Sequence, residues 1–229
     1  MFNYDKYNRE ERFICGHLFR LLHEPNDNNR AIRDFLSKDF KNPFKIYAEV
    51  ALIRDAYFVR KPNHNIFLDR LVKIVMKQEE IQNCRLYTNL PFPLNDASKT
   101  HPSHIKRQAK DELSNDEKKV YGAIQGMFNA KPDLVICWDE NLWIYEAKFT
   151  LNFNRTQLKR TEKIGNVWAS LLYNDLGFDR IPNVRVLTLG LQKYNPNVSW
   201  EDIASIAAKV YPKSDNTRVA LENALNFGG

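Results

Sequence analysis

Residues 131–149 read KPDLVICWDENLWIYEAKF and hold two runs rich in β-branched and aromatic side chains. The polar residues Asp139, Glu140 and Asn141 separate the two runs. Two such runs joined by a short polar turn are typical of a β-hairpin. We therefore predict an antiparallel pair of strands in this stretch, and the hairpin fixes which residues face each other.

Two acidic residues stand at the open end of this hairpin. Asp133 precedes the first run and Glu146 ends the second, so a turn centred near residue 140 places them opposite each other. Neighbouring carboxylates repel, and a divalent cation between them relieves that repulsion. Oxygen ligands suit Mg²⁺ or Mn²⁺, and we expect one of these ions between Asp133 and Glu146.

A lysine completes the pattern. Lys148 lies two positions after Glu146, so the alternation of a strand puts both side chains on the same face of the sheet. A lysine beside a metal and a scissile phosphate can orient or deprotonate the attacking water, and it offsets charge that develops on the phosphoryl oxygens. Two metal-binding carboxylates and a lysine are groups that metal-assisted hydrolysis of a phosphate ester can use.

The same residues carry a family resemblance. Pro132-Asp133, followed after a strand, turn and strand by Glu146-Ala147-Lys148, resembles the motif of the PD-(D/E)xK nuclease superfamily, which includes restriction endonucleases and resolvases. The resemblance covers residues 131–157 by motif and extends to about residue 191 by the order of elements. It implies that Asp133 and Glu146 bind the metal and that Lys148 assists the water. It also implies an α/β fold with a restriction-endonuclease-like core, a mixed central sheet flanked by helices, although no subfamily is identified.

Two accessory residues follow from the resemblance. Some branches carry a glutamine early in the helix after the lysine strand, and Gln157 occupies that position as a further catalytic residue. Many members have a metal-binding glutamate on the first helix. Glu11 fits that role best because it shares a helix face with Leu18, and Glu10 is the second choice.

Basic residues cluster on the helix that is predicted after the hairpin. Arg155, Lys159 and Lys163 recur at intervals of four, and Arg160 lies nearby. In a nuclease, such cations would contact backbone phosphates without reading sequence. A merely solvated basic surface is the open alternative.

Apolar periodicity predicts the remaining elements. Helices are expected at 8–22, 28–36, 46–59, 66–81, 155–173, 200–210 and 217–225, and a further strand at 184–191. Residues 84–90 fit an edge strand or an extended lead-in. Residues 95–119 fit a mobile loop with one helical turn or more, and residues 98–119 are either a surface loop or a flap that contacts substrate. We divide the chain into a helical N-terminal part at 1–83 and the nuclease core at 84–229, packed together as one structural domain.

The composition of the chain indicates which kinds of partner and which cellular compartment to expect. The net charge of +6 favours a polyanionic partner, and the superfamily's habits favour DNA over RNA. The charged N-terminus and the lack of a long apolar run predict a soluble, cytoplasmic protein that does not bind membranes. A catalytically silent nucleic-acid-binding or protein-interaction module with the same fold is the alternative. A homodimer, or partner proteins of a defence or mobile-element system, also stay open.

Overall fold

The computed structural model describes residues 11–24, 28–40, 44–60, 63–90, 101–149 and 153–228. The fold is α/β. The helices are α1 (Glu11–Leu22), α2 (Arg30–Leu36), α3 (Leu52–Val59), α4 (His64–Gln78), α5 (Ile105–Gln108), α6 (Asn115–Asn129), α7 (Arg155–Leu172), α8 (Trp200–Val210) and α9 (Asn216–Asn223). The strands are β1 (Lys45–Ala48), β2 (Leu134–Trp138), β3 (Asn141–Ala147), β4 (Asn183–Gly190) and β5 (Val198–Ser199).

The chain divides into two compact units, and one of the four boundaries along the chain falls within α7. The first unit consists of Met1–Val50, Pro132–Glu162 and Pro182–Gly229, and the second of Ala51–Lys131 and Lys163–Ile181. Both units are assembled from separate stretches of sequence. The single boundary after residue 83 that was expected from the sequence stays a prediction.

The first unit holds a five-stranded mixed sheet in the order β1-β2-β3-β4-β5. Strands β1, β2 and β3 are antiparallel, whereas β4 and β5 run parallel to β3. The parallel step from β3 to β4 requires a crossover, and α7 lies in it. A mixed sheet flanked by helices is what the sequence predicted.

The central hairpin has the predicted pairing. Leu134 pairs with Tyr145 and Trp138 pairs with Asn141, so Asp139 and Glu140 alone form the turn. Asp139 adopts a left-handed conformation with φ of 45°, which a two-residue hairpin turn requires. The turn is thus one residue shorter than predicted, and its centre lies just before residue 140.

One face of the sheet is covered by apolar helices of the first unit. Leu134 and Ile136 of β2 and Tyr145 of β3 belong to a buried cluster with α1, α2 and α8. Phe35 of α2 packs against the Tyr145 ring, with centroids 5.2 Å apart. Because side chains alternate along a strand, the residues between these positions point to the opposite face.

The second unit contains α3, α4, α5 and α6 with the second half of α7. Helix α6 begins with a capping box, in which Ser114 and Glu117 exchange side-chain and backbone hydrogen bonds. The Arg85 guanidinium forms a two-pronged ion pair with Glu117 at 2.6 and 2.8 Å. This network ties residues 82–90 to the start of α6.

One local prediction was wrong. Lys45–Ala48 forms strand β1, not the start of a helix, and the helix begins at Leu52. Residues 84–90 follow the extended alternative, with one 3-10 turn at Tyr87–Asn89. Helix α6 was not predicted as an element, and its first residues, 115–119, lie in the segment interpreted as a loop with one helical turn or more. The short strand β5 was also missed.

No helix within the described ranges is both long enough and apolar enough to cross a bilayer.

Candidate active site

Asp133 lies immediately before β2, and its side chain reaches across the hairpin. Its Oδ2 accepts a 2.7 Å hydrogen bond from the backbone N–H of Ala147 in β3. Its backbone carbonyl accepts a 3.3 Å hydrogen bond from the N–H of Glu49, just after β1. Asp133 is therefore held between the two neighbouring strands at one end of the sheet.

Glu146 lies opposite Asp133. The pairing of Leu134 with Tyr145 places the next position of each strand, Asp133 and Glu146, across from each other. Helix α7 supplies hydrogen-bond donors to both carboxylate oxygens. Gln157 Nε2 donates to Oε2 at 3.1 Å, and Thr161 Oγ1 donates to Oε1 at 2.8 Å.

Lys148 is anchored through its backbone. Its N–H donates to the carbonyl of Leu189 in β4 at 2.8 Å, and its carbonyl accepts from Trp200 Nε1 at 3.4 Å. A Cβ at Gly190 would lie 3.3 Å from that carbonyl and 3.2 Å from the Phe153 ring, so only glycine fits there without a shift. The strand is thus fixed at the position from which the lysine side chain extends.

The alternation of β2 and β3 assigns the three residues to one face. Leu134 and Tyr145 point into the cluster with α1, α2 and α8. The neighbouring positions Asp133 and Glu146, with Lys148 two residues further on, therefore belong to the opposite face. The hydrogen bonds from α7 to Glu146 are on this face as well.

The start of α7 is set by Asn154. Its Oδ1 accepts hydrogen bonds from the backbone N–H groups of Thr156 at 2.9 Å and Gln157 at 3.4 Å. These bonds satisfy donors that the first helical turn leaves unpaired. The cap defines where the helix begins and hence which residues face Glu146.

The basic residues predicted to contact phosphates all lie on α7 but differ in their position relative to the candidate site. A rotation of about 100° per residue puts Arg155 and Lys159 on the side of α7 away from Gln157 and Thr161. Arg160 instead precedes Thr161 and flanks the face that holds Glu146. Of the three exposed cations in the first half of α7, Arg160 is the nearest to Gln157 and Thr161 in rotation about the helix axis.

Lys163 lies in the second unit and has a counterion there. Its Nζ is 3.0 Å from Glu79 Oε1, and Lys119 Nζ lies 3.5 Å from Glu79 Oε2. The hydrogen bond from Lys163 lowers the pKa of the Glu79 carboxyl below its usual value. The phosphate-binding role of Lys163 stays a prediction, and a phosphate there would have to compete with Glu79.

The predicted glutamate of the first helix cannot be placed. Glu11 is the first residue of α1, but its side chain lies outside the described residues, as does all of Glu10. Leu18, on the same predicted helix face, is fully buried as expected. The apolar side of helix α1 belongs to the buried cluster on the face of the sheet opposite to Asp133 and Glu146. Its role as a metal ligand stays a prediction.

The chemistry of the donor set fits a hard divalent cation. Asp133 and Glu146 offer carboxylate oxygens, and Mg²⁺ is commonly held by one or two carboxylates with waters in its other positions. Within the described part of the chain, no three His, Cys, Asp or Glu side chains are grouped as ligands of one ion. Two carboxylates alone would leave the other positions around such an ion to water.

Two residues near the site were not singled out from the sequence. Thr161 follows Gln157 by one helical turn, a spacing that could have revealed it once Gln157 was placed. Glu49 follows β1 in the position paired with Asp133, has a left-handed backbone with φ of 52°, and pairs with Arg12 at 3.4 Å. It was missed because β1 was read as helix.

Comparisons of the chain with protein-family models, curated proteins and solved structures find no match.

Proposed function

We propose that this chain is a metal-dependent nuclease with a restriction-endonuclease-like core, which hydrolyses phosphodiester bonds of DNA. The observation that carries the proposal is the register of the β2–β3 hairpin, which ends with Leu134 paired to Tyr145. Continued by one position, this register brings Asp133 opposite Glu146, and strand alternation puts Lys148 on the same face. The strand, strand, helix, strand order on which the resemblance rested is present as β2, β3, α7 and β4. These features support the assignment of Mg²⁺ or Mn²⁺ as cofactor.

In this proposal, each residue has a separate task. Asp133 and Glu146 hold the cation and so set its place relative to the scissile phosphate. Lys148 orients or deprotonates the attacking water and offsets charge on the phosphoryl oxygens. When bound, the cation supplies positive charge that makes a water easier to deprotonate and that stabilises the transition state.

Gln157 acts on Glu146 in this arrangement. A carboxylate only accepts hydrogen bonds, so the Gln157 amide must present its NH₂ group to Glu146 Oε2. We assign Gln157 as a positioning residue of the carboxylate. From the sequence alone, Gln157 was expected to be one of the catalytic residues.

A second candidate is a non-cleaving module that binds nucleic acid or protein through the same fold. In such a module, Asp133 would have a structural role, because its carboxylate accepts a hydrogen bond from the Ala147 N–H. The complete set of two acids and a lysine favours the enzyme, because a binding module has no need to gather carboxylates where phosphates would approach.

The test is a cleavage assay with circular single-stranded and double-stranded DNA, with and without Mg²⁺ or Mn²⁺. Wild-type protein should cut only with the cation, and Glu146→Ala should lose cleavage while it stays folded. Cleavage that persists in folded Glu146→Ala, free of contaminating nuclease, would refute the proposal. Metal-independent DNA binding without cleavage by wild-type protein would favour the second candidate.

A further inference from the structure

Glu146 is held by two donors that lie one turn apart on a single helix. Gln157 donates to one carboxylate oxygen and Thr161 to the other, at 3.1 and 2.8 Å. Thr161 is half-buried, whereas Gln157 is exposed. The shorter and better shielded of the two bonds is therefore the one from Thr161.

The direction of the Thr161 bond is unambiguous. An ionised Glu146 carboxylate has no proton to donate, so the Thr161 hydroxyl must donate its single hydrogen to Oε1. A helical threonine otherwise tends to donate that hydrogen to the carbonyl four residues earlier. In this chain, the hydroxyl is directed at a residue of the candidate site.

The two bonds determine the plane of the carboxylate. The last torsion of a glutamate side chain has a broad energy minimum, so packing of the aliphatic part alone does not fix the orientation of the oxygens. One donor on each oxygen fixes it. A carboxylate oxygen can accept more than one interaction, so a hydrogen bond to it is compatible with metal binding.

We propose that Thr161 is a positioning residue that, together with Gln157, orients the Glu146 carboxylate for metal binding. This inference rests on the proposed function. Without the hydroxyl, the carboxylate can rotate, and part of its orientation must then be recovered when the cation binds. Loss of a group that orients a metal ligand typically weakens metal affinity or activity by about 10- to 100-fold.

The direct test is calorimetric titration of Mn²⁺ into the purified 229-residue chain without nucleic acid. Thr161→Val removes the donor and nearly keeps the shape, whereas Thr161→Ser keeps the donor. Thr156→Val is the matched control, since Thr156 is an exposed threonine in the first turn of the same helix. We expect about a tenfold or greater rise in the Mn²⁺ Kd for Thr161→Val, and near-wild-type values for the other two variants.

A second readout separates positioning from general stability. Cleavage by Thr161→Val should recover as Mn²⁺ is raised, because excess cation compensates for weakened binding, and the KM for DNA should stay unchanged. Thr161→Ser keeps the hydroxyl donor, so its cleavage should be close to that of wild type without any increase in Mn²⁺ concentration. If Thr161→Val does not fold, Thr161→Ala replaces it in the same comparison with Thr161→Ser.

The outcomes distinguish this inference from the proposed function. A folded Thr161→Val protein that binds Mn²⁺ within twofold of wild type, while Glu146→Ala has lost binding, overturns the role of Thr161 alone. If Glu146→Ala also binds Mn²⁺ like wild type, the metal site itself is wrong and both proposals fall. Weakened binding in Thr161→Val with recovery in Thr161→Ser supports the inference.

Discussion

The Asp133 carboxylate accepts a 2.7 Å hydrogen bond from the backbone N–H of Ala147, a residue that is 1% exposed. The next N–H of the strand, that of Lys148, bonds to Leu189 on the other side. Asp133 thus satisfies a buried backbone donor at the point where the hairpin pairing ends. A variant of Asp133 can lose activity either through the metal or through this contact, so the choice of substitution matters.

Asp133→Asn should separate the two roles. The amide oxygen can still accept from the Ala147 N–H, but the charge that holds the cation is gone. We expect the free energy of unfolding, measured with urea, to stay within about 1 kcal/mol of wild type, and Mn²⁺-dependent cleavage to be lost.

Asp133→Ala is the matched comparison, because it removes the acceptor as well. It should lose cleavage and also about 1–3 kcal/mol of unfolding free energy, the cost of an unsatisfied buried donor. Full cleavage by Asp133→Asn would show that the charge is not needed and that Asp133 is structural only.

Lys148→Ala should impair catalysis far more than binding. Its backbone is fixed by Leu189 and Trp200, so truncation of the side chain should leave the strand in place. A group that assists proton transfer contributes about 10²–10⁴-fold to the rate, and we expect a loss in this range for kcat. DNA affinity at one fixed salt concentration should change little, because it arises from many distributed charges. A variant that loses binding and cleavage in equal measure would assign Lys148 to substrate binding instead.

The central hairpin could be predicted because its register depends on short-range features. Two β-rich runs and one short turn leave little freedom, and the pairing of Leu134 with Tyr145 follows. Strand β1 could not be recognised in the same way. Its four residues run directly into the apolar periodicity of α3, and only pairing with β2, about 90 residues later in sequence, makes them a strand.

The start of α6 was also missed, although the sequence contains a recognisable signal for it. Ser114 and Glu117 have the spacing of a capping box, which marks the start of α6 inside a segment that was judged by its charge. At the site, Gln157 was found through the resemblance and Thr161 was not, although both lie on one face of α7. The contact between Thr161 and Glu146 depends on how α7 packs against β3, and sequence spacing does not report such packing.

Arg160 should matter more than its neighbour Lys159. Arg160 flanks the face of α7 that holds Glu146, whereas Lys159 points away from it. Arg160→Gln should weaken DNA binding roughly tenfold, a loss of about 1.4 kcal/mol. It should also lower the slope of log affinity against log salt by about 0.9, as expected for one lost phosphate contact. Lys159→Gln is the control of equal charge change, and equal effects of the two variants would contradict this ordering.

The last prediction concerns the stability of the second unit and is independent of the nuclease proposal. Glu117 is buried, with 4% exposure, and accepts hydrogen bonds from the Arg85 side chain, the Arg85 N–H and the Ser114 N–H. The hydrogen bonds from the Arg85 side chain are the largest cause that lowers the pKa of Glu117 from 4.5 to about 2. A carboxyl with a lowered pKa in the folded state stabilises the protein fully above its unfolded-state pKa, and this stabilisation is lost as pH falls through the folded-state value. The melting temperature of wild-type protein should therefore decline between about pH 4.5 and 2, and Glu117 contributes to this decline.

Glu117→Gln should lower the free energy of unfolding by about 1–3 kcal/mol at neutral pH, because the amide cannot satisfy all of these donors. The decline of its melting temperature over the acid range should be shallower than that of wild type. Glu112→Gln is the matched control, since Glu112 is exposed and contributes only its backbone carbonyl to Arg85. An acid profile of Glu117→Gln that parallels wild type would show that the Arg85–Glu117 pair does not govern the acid sensitivity of this unit.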